Sequence, residues 1–206
     1  MKHITQGIQA FQDNVFHENE LLFEKLRQGQ HPEVLFITCS DSRIDPCLLT
    51  QTKPGDLFIL RNAGNIVPPY GASNGGEAAA VEYAVAVLGV KHIVVCGHSH
   101  CGAMQGLLNP DSLESIPTVS EWLKHAASTR QVVLDLHDDK SGAELLTATI
   151  QENTLAQLSN LKTHPSVASA LAADKLELHA WLYEFENGKV NAWNAETNDF
   201  HALGSA

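Results

Sequence analysis

Basic residues are scarce in this chain: 13 Lys and Arg stand against 24 Asp and Glu, a formal net charge of -11. A surface of that sign repels polyanions, and no run of Lys or Arg makes a local exception, so nucleic acid is not expected as a partner. Long apolar runs are missing too. No stretch approaches the roughly 20 residues needed to cross a bilayer. The opening Met1-Lys2-His3-Ile4-Thr5-Gln6 lacks the apolar core of a secretory signal, so a cytoplasmic protein with no membrane partner is expected. Cysteine is sparse, with four in 206 residues. That count, in a chain of this size and expected address, does not suggest a disulfide framework and leaves metal binding or redox chemistry. Cys47, after Pro46, and Cys96, closing Ile93-Val94-Val95-Cys96, fit packing roles. Cys39 and Cys101 remain.

What is present is enough apolar material, 44% of the residues, for one well-filled core. The expected fold is a single α/β domain over residues 1–206, with a mostly parallel central β-sheet flanked by helices and an N-terminal helical arm. Residues 1–29 make the arm and 30–206 the core. In the arm Ile8, Phe11, Val15, Leu22, Phe23 and Leu26 recur at helical spacing, with a break near Phe16. Val34–Thr38, Leu57–Leu60 and Ile93–Val95 are short apolar runs, two of them rich in β-branched residues, as in strands buried on both faces of a parallel sheet. The Ala-rich segment 76–88, ended by Gly89, suits a crossover helix. Segments 119–130 and 143–161 read as helices, the second with Leu145, Leu146, Ile150, Leu155, Leu158 and Leu161 on one side and ending near Pro165. Leu176–Phe185 and Lys189–Trp193 read as a hairpin across Asn187-Gly188.

Two segments carry chemistry. In Cys39-Ser40-Asp41-Ser42-Arg43, alternation along an extended backbone would aim Cys39, Asp41 and Arg43 into one pocket if the geometry persists past the strand end. In His98-Ser99-His100-Cys101-Gly102, one helical turn would bring His98 and Cys101 together. Two sulfurs and an imidazole suit tetrahedral zinc, and no fourth Cys or His is obvious, which leaves a place for water. A closed structural zinc site is the competing reading. The carboxylate–guanidinium pair beside the single cysteine favours catalysis.

Cys39-Ser-Asp-Ser-Arg43, Arg61-Asn-Ala-Gly-Asn65, Glu82-Tyr-Ala84 and Gly97-His-Ser-His-Cys-Gly102 resemble, in content and order, the signature blocks of β-class carbonic anhydrases. Val67–Gly71, Val119–Leu123 and His179–Tyr183 are similar to the plant-like bacterial and cyanobacterial members. The resemblance spans nearly the whole chain. It implies one zinc ion per chain on Cys39, His98 and Cys101, with a water or hydroxide in the fourth position attacking carbon dioxide to give bicarbonate and a proton. Asp41 is then the hydrogen-bond acceptor for that nucleophile, and Arg43 keeps Asp41 ionised and oriented. The family also contains a closed state in which the aspartate is the fourth ligand, a place open to Asp41. Phe36, where closed-type members have Trp, and Gln30, matching a substrate-directed glutamine, favour the open state. Phe58, Ala63 and Tyr83 match an apolar wall for carbon dioxide, and Gly102 a backbone N–H approach to substrate. Arg61 is a candidate for holding bicarbonate or an interface carboxylate. Because members share the pocket wall between subunits, a homodimer or larger homo-oligomer is expected. Hydrolysis of carbonyl sulfide or carbon disulfide on the same scaffold, and a non-catalytic zinc-binding scaffold, are the alternatives.

Overall fold

The computed structural model describes residues 1–73 and 75–204, and the chain divides into two compact units, Met1–His31 and Pro32–Ala206. The first unit is helical, running through Lys2–Ala10, a wide turn at Phe11–Val15, Phe16–Glu18 and Glu20–Gln28. It breaks at Asn19 (φ -120°), three residues beyond the expected Phe16, where the Asn19 amide donates back to the Val15 carbonyl at 2.8 Å. Such local side-chain bonds compete with the helix ladder. Phe16 stacks on Phe23 at 4.8 Å, with Phe11 edge-on to both. No residue of these helices is buried, and Ile4, Ile8 and Leu21 are exposed.

The second unit is built on a six-stranded sheet of order β2-β1-β3-β4-β5-β6. Its strands are β1 (Val34–Cys39), β2 (Leu57–Asn62), β3 (His92–His98), β4 (Glu177–Tyr183), β5 (Val190–Asn194) and β6 (Asp199–Ala202). The first four pair in parallel and the last two antiparallel. From Leu35 to Cys39 and from Ile93 to His98 every residue is buried, as central parallel strands require. On one side, Leu35, Ile37, Ile93 and Val95 pack with Val81, Ala84, Leu161 and Val167. Val81 comes from helix Gly76–Glu82, Ala84 from the wide turn Tyr83–Val87 that continues it, and Leu161 and Val167 from helices Gly142–Leu161 and Pro165–Ala172. Gly97 lets the Gly142–Leu161 helix approach: a Cβ there would meet Thr154 Oγ1 at 2.7 Å and Ile150 Cγ2 at 2.9 Å.

From β1 the chain runs to β2 on one side and then crosses back over to β3 on the other. The carboxyl ends of β1 and β3 therefore flank a point where the strand order reverses, the place where open α/β sheets form their crevice. Cys39 closes β1 and His98 closes β3.

Two expectations are extended and one is corrected. Pro165 does not merely end a helix but starts another, Pro165–Ala172, at its first position, where its missing N–H costs nothing. The strand β6 follows the expected hairpin. The long helix does not turn a leucine stripe inward: Leu145, Leu155 and Leu158 are only half-buried, whereas Thr149, Asn153, Thr154 and Gln157 are buried with Leu146, Ile150 and Leu161. Thr149 and Thr154 return their hydroxyls to the Leu145 and Ile150 carbonyls of the same helix, whereas Asn153 and Gln157 are buried because they hold a loop.

Candidate metal centre

That loop is Gly64–Pro68. Asn153 Nδ2 donates to the Gly64 carbonyl at 2.9 Å, Gln157 Oε1 accepts from Val67 N at 2.9 Å, and Asn160 Nδ2 donates to the Val67 carbonyl at 2.9 Å. Gln157 Nε2 also donates to Asn153 Oδ1 at 2.8 Å, so the ladder is internally satisfied, as buried amides must be. At the near end Asn62 clasps the loop, donating to the Ile66 carbonyl at 2.7 Å and accepting from Ile66 N at 2.8 Å. So held, Gly64 takes φ +82°, and a Cβ there would lie 2.9 Å from Met104 Cε and 3.0 Å from Ala103 Cβ. Its N–H donates to Cys39 Sγ at 3.4 Å.

Cys39, His98 and Cys101 are all buried, and one ligand atom from each lies within 4.8 Å of the others. The segment after β1 does not stay extended, so alternation does not explain the placement of Asp41 and Arg43. It turns: Ile44 N donates to the Asp41 carbonyl at 3.3 Å, and Asp41 Oδ1 accepts from Arg43 N at 3.0 Å. The same turn folds the Arg43 guanidinium onto the carboxylate, Nε to Oδ1 at 2.9 Å and Nη2 to Oδ2 at 2.7 Å. Arg43 is steadied by the His100 carbonyl at 3.2 Å and by the Phe185 ring, 4.6 Å from the guanidinium carbon. Arg61 does not wait for an anion: its N–H groups go to the carbonyls of Cys39 (3.0 Å), Asp41 (2.6 Å) and Ile44 (2.9 Å), stapling the turn from β2.

His98 and Cys101 are likewise joined by a turn rather than a helical step. His100 takes the left-handed conformation (φ 54°), and Cys101 is the residue before helix Gly102–Leu108. Ser99 ties the turn to the end of β4, its N donating to the Tyr183 carbonyl and its hydroxyl accepting from Phe185 N, each at 2.9 Å. His100 pairs with Glu186. Such an exposed pair contributes little stability.

The electrostatics follow from these contacts. The Arg43 hydrogen bonds hold the Asp41 carboxyl far below the usual carboxylate range, against a burial effect of opposite sign. The Cys39 thiol is lowered by its Cys101 neighbour first, then by His98 and by the Gly64 and Asp41 amides. Cys101 is raised by the Cys39 sulfur and by burial. The pair thus shares one negative charge, because a second buried thiolate needs a cation to offset it. His98 Nδ1 lies 2.8 Å from the Ser99 carbonyl and can only donate to it, which leaves Nε2 as the ring nitrogen available to the cluster with the two sulfurs. That Nε2 is buried with no hydrogen-bond partner. A partnerless nitrogen facing two sulfurs, one of them readily ionised, is the donor set that zinc fits.

Asp41 lies at the edge of this cluster, its Oδ2 4.0 Å from His98 Nε2. Gly102, next to Cys101, is exposed, and a Cβ there would meet nothing within 4 Å. Ala63 is half-buried, and its carbonyl accepts from Trp122 Nε1 at 2.8 Å. Phe58 and Tyr83 face each other at 6.0 Å. Phe58 pairs with Leu35 while Asn62 pairs with Cys39, which sets Phe58 about 13 Å down the strand from the cluster end. The two rings therefore do not join the cluster of their own chain. Gln30 is exposed and belongs to the N-terminal unit. The Gly64 amide, the Arg61 staple and the Asn153–Gln157 ladder escape the spacing argument. Their readable signals were the Arg-Asn-Ala-Gly-Asn block and the polar residues set into an otherwise apolar helix.

Comparison with known proteins bears on this arrangement. The family model described as carbonic anhydrase matches residues 34–190. A carbonic anhydrase of Synechocystis sp. is 51% identical over 98% of this chain and 74% of its own length, and one of Pseudomonas aeruginosa is 48% identical over 98% and 92%. Among solved structures, the β-carbonic anhydrase CcaA superposes with a TM-score of 0.96 at 51% identity, covering 98% of each chain. One of the two tetrameric β-carbonic anhydrases of Sordaria macrospora superposes at 0.85 and 32% identity, covering 94% of this chain and 96% of its own.

Proposed function

The chain belongs to the β-class carbonic anhydrases and catalyses the reversible hydration of carbon dioxide to bicarbonate, and on that premise we propose that Cys39, His98 and Cys101 hold one catalytic zinc ion per chain. The observation that carries this is the buried, partnerless His98 Nε2 beside two sulfurs. Zinc, when bound, supplies a Lewis acid that makes water nucleophilic near neutral pH. The remaining tasks fall to the chain itself. Asp41 accepts a hydrogen bond from the attacking water and aims its lone pair, and Arg43 keeps that carboxylate ionised and fixed. With both of its oxygens engaged by Arg43, Asp41 stays off the metal, which supports an open site. Gly102 leaves space for a substrate oxygen at the start of its helix. Gly64, through its N–H to Cys39, orients that sulfur, and Arg61 fixes the turn bearing Asp41.

The enzyme acts as at least a homodimer. Phe58 and Tyr83 lie away from their own cluster, and the arm carries exposed Ile4, Ile8 and Leu21, so a second copy is the economical source of the apolar wall, with Gln30 directed at substrate. Sedimentation of the full chain tests this, a catalytically active monomer being the contrary result. For the site, stopped-flow carbon dioxide hydration is measured beside zinc content on wild type and Asp41→Asn. The expected result is equal zinc with a rate lowered about 100-fold or more. Equal zinc with an unchanged rate would remove Asp41 from the mechanism.

A further inference from the structure

Two imidazoles and a carboxylate meet at the other end of β3 and β4. His92 opens β3 and pairs in register with Glu177, which opens β4, and His179 is two residues further along β4. Alternation puts all three side chains on one face of the sheet, the face that also carries Val94, Cys96 and, at its far end, His98. Six residues separate His92 from His98, about 20 Å along the strand, so this cluster is distinct from the thiolate site.

The two imidazoles are hydrogen-bonded to each other, but the carboxylate is bonded to neither. His92 Nδ1 and His179 Nε2 lie 3.2 Å apart, and Glu177 Oε2 lies 3.6 Å from the first and 3.7 Å from the second. The carboxylate oxygen is beyond hydrogen-bond reach of either ring, yet nearly equidistant from both. The point equidistant from the three atoms lies about 2.0 Å from each, the length of a zinc–imidazole or zinc–carboxylate bond. All three side chains are partly open to solvent, at 39%, 34% and 70% for His92, His179 and Glu177, so an ion can enter and water can complete its shell. The neighbouring Lys91 ammonium is paired with Glu33, which offsets its repulsion of a cation.

We propose that His92 Nδ1, His179 Nε2 and Glu177 Oε2 form a second, open site for a divalent transition-metal ion, at the end of the sheet opposite the thiolate cluster. Two nitrogens and one oxygen select zinc and its borderline neighbours over calcium or magnesium, which prefer oxygen alone. The bound ion would tie β3 to β4 where both strands begin.

The test is equilibrium dialysis of the zinc-loaded full chain against micromolar Zn²⁺, with metal counted per chain and the thermal midpoint recorded. Wild type gains a second ion and a higher midpoint. His92→Gln and His179→Gln each lose that ion and the midpoint shift, while keeping the first ion and full carbon dioxide hydration. Cys39→Ser loses the first ion and keeps the second, so failure of either site is visible separately. The proposal is overturned by a wild type that takes up no second ion, or by a second ion that both histidine variants retain. If neither variant folds, anomalous scattering from zinc-soaked wild-type crystals decides: a peak among the three side chains supports the site, and a map without one overturns it.

Discussion

β3 carries a histidine at each end, His92 in a cluster shared with β4 and His98 in a cluster shared with the end of β1, and the two clusters differ in almost every physical respect. At the carboxyl end His98 is fully buried, shares its surroundings with two sulfurs, and is held by turns that Arg61, Ser99 and the Gly64 loop fasten. At the amino end His92, Glu177 and His179 are open to solvent, offer no sulfur, and are positioned by strand register alone. Burial with soft ligands makes a site that keeps its ion and shapes chemistry around it. Exposure with nitrogen and oxygen makes one that exchanges with solution. The sheet supplies the same scaffold to both, and the loops make the difference.

The comparison breaks most completely if the buried end loses a ligand. Cys39→Ser or His98→Asn is expected to abolish tight zinc retention and carbon dioxide hydration together, checked by metal analysis after dialysis and by stopped flow. Asp41→Asn comes next, with zinc kept and the rate down about 100-fold or more. Its pH behaviour follows from the depressed Asp41 pKa. A carboxylate whose folded pKa is lowered contributes stability that is present above its ordinary value near 4 and lost only as pH falls through the depressed one. Asp41 is therefore ionised throughout the neutral and alkaline range. The Asp41→Asn factor should be the same at each pH there, and a deficit that vanishes at alkaline pH would contradict it.

Smaller effects probe the supports. Gly64→Ala forces a Cβ into a left-handed position against Met104 and Ala103, and should cost about 1–3 kcal/mol in denaturant unfolding, with weakened zinc retention. Asn153→Ala leaves the buried Gly64 carbonyl without its donor, for about 1–3 kcal/mol. At the exposed end, His92→Gln should leave hydration unchanged and shift unfolding by less than about 0.5 kcal/mol. A loss of activity there would show that the two ends are not independent.

The donors of the buried cluster were legible in the sequence because Cys, His and a Cys-Ser-Asp-Ser-Arg block carry their chemistry in residue type. The parallel strands were legible in continuous apolar runs, and the hairpin in Asn187-Gly188. Turn conformation was not. The Asp41–Arg43 turn and the left-handed His100 replace the extended and helical geometries that spacing alone suggests, because side-chain and carbonyl hydrogen bonds outcompete the regular ladder once the strand ends. The buried Asn153 and Gln157 broke the leucine-stripe reading of their helix, since they serve a loop nearly 90 residues distant in sequence. The amino-end cluster was invisible for a related reason: it exists only through the register of His92 with Glu177, two residues far apart in the chain.

X-ray absorption at the zinc edge on chain carrying a single equivalent of zinc tests the central claim most directly. Two sulfur scatterers at about 2.3 Å and two lighter atoms at about 2.0–2.1 Å are expected. A first shell without sulfur, or one with four sulfurs, would contradict the assignment of Cys39, His98 and Cys101.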